Sequence, residues 1–200
     1  EQHIEIADLV PFIILSVVFA TRFGSPKADA KLASKTLLEH TYARLSAQNV
    51  GPILVNAPKD LCPAKKIPRI EDELGSGIGP LAGVHAAMNW AKHNNDTLVV
   101  TVSVDTPFLP TNLVERLVTA GAPAFAVSRE RKHPLIGLWR AADSEKLEKF
   151  LGSNAKSAHA WLEHCDANPV VFDNTEGIDP FFNINTPSDL EIAARFLLGS

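Results

Sequence analysis

Apolar residues come in short unbroken stretches that alternate with segments of helical period. Residues 12–18, 52–55, 98–104, 124–127 and 135–139 are rich in Val, Ile, Leu and Phe without strict alternation, the pattern of strands buried on both faces of a mainly parallel sheet. Between them, residues 36–47, 80–92 and 112–120 place apolar side chains at helical spacing with polar residues opposite. Two further helical stretches, 144–151 and 157–165, precede a short strand at 170–172. A last helix opens at Thr186-Pro187-Ser188-Asp189, which supplies an N-cap Thr, a Pro at the first helical position and an acid at the third. Strands alternating with helices in this way predict an α/β three-layer fold. With no repeat, low-complexity stretch or linker, residues 1–200 read as one domain.

Composition narrows the possibilities. The 200 residues are 46% hydrophobic and 21% charged with only two cysteines, which excludes extended disorder, collagen and disulfide scaffolds. A net charge of −4 gives no basic footprint for nucleic acid. Cys62 and Cys165 have no ligand spacing around them and read as reduced thiols of a cytoplasmic protein. The apolar run at residues 10–20 is short of the ~20 residues of a spanning helix. It follows acidic Glu1, Glu5 and Asp8 rather than basic residues, so it predicts a buried strand, with no membrane as partner.

In open α/β sheets, chemistry gathers at the carboxyl ends of the strands. Just beyond the apolar runs lie Arg22, Gly24 and Lys27, then Asn56 and Asp105, while the long loop after Asn56 holds Asp72. A loop with Arg22 and Lys27 can hold phosphates, with Gly24 allowing close backbone approach, or it can simply be solvated. Asp105, on Val-Asp-Thr-Pro at a strand end, can present an oxygen to Mg²⁺ or can cap the Thr106-Pro107 turn. The Gly79-Pro80-Leu81-Ala82-Gly83 run lets backbone crowd the sheet or a flat ring, and is also a good helix start. Asn183 and Asn185 alternate on an extended segment and predict one shared face, while Asn185 can also help cap the last helix. His133, just before its strand, reads as a structural donor rather than a catalyst, since no Ser, Cys or second His completes a nucleophile arrangement with it.

Taken in order from Leu15 to Leu190, these pieces resemble the molybdenum cofactor guanylyltransferases, of the Rossmann-like nucleotidyltransferase superfamily. Arg22-Phe23-Gly24-Ser25-Pro26-Lys27 resembles that family's Arg-x-Gly-x-Asp-Lys signature, and Lys35 to His40 the opening of its first helix. Asn56, Ile70-Glu71-Asp72, Gly79 to Gly83, Asp105-Thr106-Pro107, His133-Pro134-Leu135 and Asn183-Ile184-Asn185-Thr186-Pro187 complete the series. The resemblance implies attack of a molybdopterin phosphate on the α-phosphate of GTP, with Mg²⁺ as cofactor and pyrophosphate leaving. It assigns Arg22, Lys27 and Asp105 to catalysis, with Asp105 on the metal. The nucleotide would lie on Leu15, Ser16, Val17, Lys27, Asn56, Asp72 and Asp105; His133, Asn183 and Asn185 would face the pterin. Proteins of molybdoenzyme maturation are the implied partners.

The chain departs from that pattern at two places. Where the family carries Leu-Ala-Gly-Gly, it reads Leu15-Ser16-Val17-Val18, and β-branched residues resist the φ > 0 geometry that glycine permits. Pro26 stands where the family has Asp. Two other readings follow: a cytidylyl or sugar-phosphate nucleotidyltransferase of the same superfamily, or a non-catalytic cofactor-binding relative whose altered loop excludes GTP.

Overall fold

The computed structural model describes residues 10–16, 30–48, 51–58, 67–75, 78–153, 157–172 and 177–199. Val17, Val18, Arg22, Gly24, Pro26, Lys27 and Cys62 lie outside these residues. Strands β1 (Phe12–Leu15), β4 (Ile53–Asn56), β5 (Arg69–Ile70), β6 (Leu98–Ser103), β7 (Ala124–Ser128), β8 (Arg131–Arg140) and β9 (Asn168–Val171) form a seven-stranded sheet in the order β5-β4-β1-β6-β8-β7-β9. β2 (Lys31–Leu32) and β3 (Lys35–Thr36) make a separate small hairpin. Within the large sheet β8 is antiparallel to both β6 and β7, while the other pairs are parallel.

Helices α1 (Leu37–Ser46), α3 (Leu113–Ala120) and α6 (Pro187–Gly199) cover one face of the sheet; α2 (Leu81–His93), α4 (Ser144–Leu151) and α5 (Ala158–His164) cover the other. The strands supply both cores by alternation. Phe12, Ile14, Val100 and Val102 face the first set of helices, and Ile13, Leu15, Leu54 and Val99 the second. Three layers with two cores are therefore observed, as the unbroken apolar runs predict.

Local chemistry fixes where the helices start. Thr36 caps α1 by accepting from the Glu39 N–H, while Glu39 Oε2 accepts from the Thr36 N–H at 2.7 Å. Asp189 does the same for α6, its Oδ2 accepting from the Asn185 and Thr186 N–H groups. Asn185 thus joins the cap through its backbone N–H.

The largest departure from the expected boundaries is at β8. The strand expected at 135–139 begins at Arg131, so His133 and Pro134 lie within β8. Phe125 opposes Gly137 and Ala126 opposes His133, so Pro134, Leu135 and Ile136 bulge from the ladder with β7. A proline has no N–H to give to a ladder, and the bulge removes the need for one. The buried Thr101 hydroxyl fastens the bulge by donating to the Leu135 carbonyl at 2.8 Å, and it accepts from Trp139 Nε1 at 2.8 Å.

Candidate active site

The carboxyl ends of four strands lie level. Leu15 pairs in register with Asn56 on one side and Ser103 on the other, and Asn56 pairs with Ile70. Two residues beyond Ile70 stands Asp72, and two beyond Ser103 stands Asp105. The Ser16 N–H donates to the Asn56 carbonyl, and the Val104 N–H to that of Leu15. Sheet register alone thus brings Leu15, Ser16, Asn56, Asp72 and Asp105 to one edge.

At one end of this row the buried Asn56 donates through Nδ2 to Asp72 Oδ1 at 2.9 Å, holding an exposed carboxylate by a buried amide. Gly83, in the first turn of α2, makes room for that amide. A Cβ there would lie 2.6 Å from Asn56 Oδ1 and 3.0 Å from Leu15 Cδ2. The small-residue turn therefore crowds the sheet's own Asn56. Gly79 opens the turn with φ +93°, a left-handed conformation that favours glycine.

At the other end Asp105 is 8% exposed, and its Oδ1 accepts from the Ser103 hydroxyl at 2.5 Å. The turn is closed by Thr106, whose N–H and hydroxyl both donate to the Ser103 carbonyl. Main-chain closure by Thr106 leaves the Asp105 side chain to a partner on the strand itself. A buried carboxylate oriented by a hydroxyl suits a hard cation such as Mg²⁺, which takes one or two carboxylates and keeps waters and phosphate oxygens. Among the described residues no group of three His, Cys, Asp or Glu forms a metal site.

A second cluster occupies the same edge where β8 begins and β7 ends. The Ser128 hydroxyl lies 2.8 Å from His133 Nε2 and donates to Asp179 Oδ1 at 2.8 Å. The same Oδ1 accepts from the Phe181 N–H, and the Phe181 ring lies 4.8 Å from that of His133. Burial pushes the His133 imidazole down to about 4; Asp179 opposes that shift and Arg131 adds to it. The strap from Asp179 to Asn185 joins the two clusters, since the Ile184 N–H donates to the Asp105 carbonyl at 2.9 Å. On this strap Asn183 Oδ1 is buried without a hydrogen-bond partner, whereas Asn185 is exposed.

Several of these groups carry no clear sequence signal. Ser103 and Ser128 read as ordinary strand residues, and Asp179 as part of a turn before Pro180. A further layer lies on α2, where Asn89 Nδ2 donates to Glu73 Oε2 at 2.7 Å, beside Asp72, and lies 3.4 Å from Nε2 of the buried His85. His85 is held below its ordinary pKa chiefly by burial, against the pull of Glu148, Glu73 and Asp72. Cys165 is a free buried thiol, pushed by burial to about 11, and is unreactive there.

A three-layer α/β sheet with carboxylates and amides ranged along its carboxyl edge is the Rossmann-like fold of nucleotidyltransferases, and solved structures share it. A molybdopterin-guanine dinucleotide biosynthesis protein A from Archaeoglobus fulgidus superposes with a TM-score of 0.74 at 21% identity, covering 96% of this chain and 100% of that one. A 2-C-methyl-D-erythritol 4-phosphate cytidylyltransferase from Thermus thermophilus does so with a TM-score of 0.64 at 21% identity, covering 93% and 98%. The chain belongs to the MobA-like NTP transferase domain family, whose model matches residues 13–169, and it is an enzyme of the nucleotidyltransferase class. A molybdenum cofactor guanylyltransferase of Rhizobium leguminosarum bv. trifolii is 40% identical over 195 residues, covering 92% of this chain and 91% of that one. One from Acidiphilium cryptum is 39% identical, covering 85% and 86%.

Proposed function

We propose that this enzyme transfers GMP from GTP to the phosphate of a molybdopterin-type cofactor, releasing pyrophosphate. The observation that carries this reading is the register that sets two differently held carboxylates on one edge: exposed Asp72 on Asn56, and buried Asp105 on Ser103. A carboxylate such as Asp72 accepts from the ring N–H and exocyclic amine of guanine. Its Asn56 partner fixes the plane in which it does so. Leu15, Ser16 and Val17 would lie along the nucleotide. Arg22 and Lys27 would neutralise the triphosphate, and His133, Asn183 and Asn185 would face the pterin.

The chemistry is one displacement. A phosphate oxygen of the acceptor forms a bond to the α-phosphorus of GTP, and the bond to the bridging oxygen breaks with its electrons leaving on pyrophosphate. Positioning and charge neutralisation dominate such a step. Mg²⁺, when bound, neutralises phosphate charge, and Asp105 would hold it. We further propose that residues 1–200 act as one cytoplasmic domain serving proteins of molybdoenzyme maturation. Among the described residues no helix is long and apolar enough to cross a membrane.

Calorimetric titration of GTP, CTP and ATP with and without Mg²⁺, followed by pyrophosphate release with molybdopterin, tests this. Mg²⁺-dependent binding selective for GTP, with turnover, is expected. Selectivity for CTP points instead to the cytidylyl reading. Absence of nucleotide binding at millimolar concentration, restored by Val17→Gly/Val18→Gly, identifies a non-catalytic relative.

A further inference from the structure

The Ser128 hydroxyl carries a single hydrogen, whereas an ionised carboxylate has none to give. The 2.8 Å contact between Ser128 Oγ and Asp179 Oδ1 therefore takes that hydrogen, since two lone pairs at this distance repel. Oδ1 also accepts from the Phe181 N–H at 2.8 Å, so its acceptor role is fixed twice. Ser128 Oγ can then only accept from the imidazole, and His133 Nε2, 2.8 Å away, must bear the ring proton. A neutral imidazole protonated at Nε2 has its lone pair at Nδ1.

That ring is held for this purpose. Phe181 packs on it at 4.8 Å, its environment keeps it neutral at physiological pH, and among the described residues Nδ1 makes no hydrogen bond. A ring that protonates only near pH 4 is a weak base at pH 7, so it accepts a hydrogen bond there without taking the proton. His133 lies near the start of β8, at the edge where Asp105 stands, and the strap from Asp179 reaches Asp105 through Ile184. Pterin rings are rich in N–H donors.

We propose that His133 Nδ1 accepts a hydrogen bond from an N–H of the pterin substrate, and that Ser128 and Asp179 are positioning residues that set this polarity. The proposal rests on the molybdopterin reading above. It makes the second half of the edge selective for a donor ring and unfavourable to one that presents an acceptor at that point.

The test uses the full chain labelled with [¹⁵N]histidine. Long-range ¹H–¹⁵N spectra between pH 6.5 and 8 should show His133 protonated at Nε2, with its Nδ1 resonance moving on addition of molybdopterin and not of GTP. Ser128→Ala should lose the tautomer preference and raise KM for molybdopterin about tenfold, with KM for GTP within about twofold. Ser128→Thr should restore both. Asp179→Asn keeps an acceptor oxygen for Ser128 and Phe181, and should keep the tautomer. A proton on Nδ1 in the wild type, or an unchanged molybdopterin KM in a folded Ser128→Ala, overturns the proposal. Should the wild type fail to turn over GTP, the reaction reading fails alone. The Nδ1 response to molybdopterin then still decides the inference, its absence sinking it.

Discussion

Replacing Gly83 by alanine pits two effects against each other. Alanine in place of glycine stabilises a helix interior by up to about 1 kcal/mol. Against this, the new Cβ would stand 2.6 Å from Asn56 Oδ1 and 3.0 Å from Leu15 Cδ2, so the amide must turn away. Asn56 is 7% exposed and held by Asp72, so turning breaks a hydrogen bond to a charged group, worth about 1.5–3 kcal/mol. The loss outweighs the gain, and we expect a net destabilisation on the order of 1 kcal/mol, a fall of roughly 2–4 °C in Tm for a chain of this size. KM for GTP should rise by about tenfold, because Asp72 is no longer oriented. The companion variant is Gly83→Ala/Asn56→Ala, in which the Cβ meets no amide. Its stability should exceed the sum of the single changes, as positive coupling in a double-mutant cycle. A Gly83→Ala protein that melts higher than wild type with unchanged KM for GTP would refute the wedge between α2 and Asn56.

Three further outcomes follow from the packing. Thr101→Val orphans both Trp139 Nε1 and the Leu135 carbonyl and should cost about 2–4 kcal/mol, seen as a lower urea midpoint at unchanged slope. Asp189→Ala removes the acceptor shared by the Asn185 and Thr186 N–H groups. It should cost about 1–2 kcal/mol and speed hydrogen exchange at those two amides. His133 protonates near pH 4 when folded against an ordinary 6.5, so the unfolded chain binds the proton first as pH falls. Its contribution to stability is therefore complete above pH 6.5 and declines between 6.5 and 4, by about 1–2 kcal/mol after allowance for its partial exposure. His133→Gln should flatten that part of the stability–pH curve relative to wild type.

Long apolar runs and capping chemistry made most of the architecture readable from residues. α4 begins and ends where the pattern places it, and Thr186-Pro187-Ser188-Asp189 opens α6 as expected. The start of β8 was hidden because Pro134 signals a break, and only the opposing strand shows that a bulge absorbs it. β2, β3 and β5 span two residues each, too few to leave a period. In the site, Asp105 was visible because an apolar run ending on Asp is a strong local contrast, whereas Asp72 stood out only within the Ile70-Glu71-Asp72 resemblance. Their orienting partners were not. Ser103 and Ser128 become meaningful only when a carboxylate folds onto them, and the fit between Gly83 and Asn56 links residues that nothing in one dimension connects.

The strap that leaves Asp179 and meets the Asp105 carbonyl through the Ile184 N–H mechanically links the two side-chain clusters of the edge. Phe181, whose ring packs on His133, and Ile184, which donates to the Asp105 turn, lie three residues apart on this strap, so a shift at either end is transmitted to the other through one hydrogen bond and a short piece of backbone. In the proposed reaction, any coupling that the strap carries between nucleotide and acceptor would be reciprocal, each ligand changing the affinity for the other by the same factor.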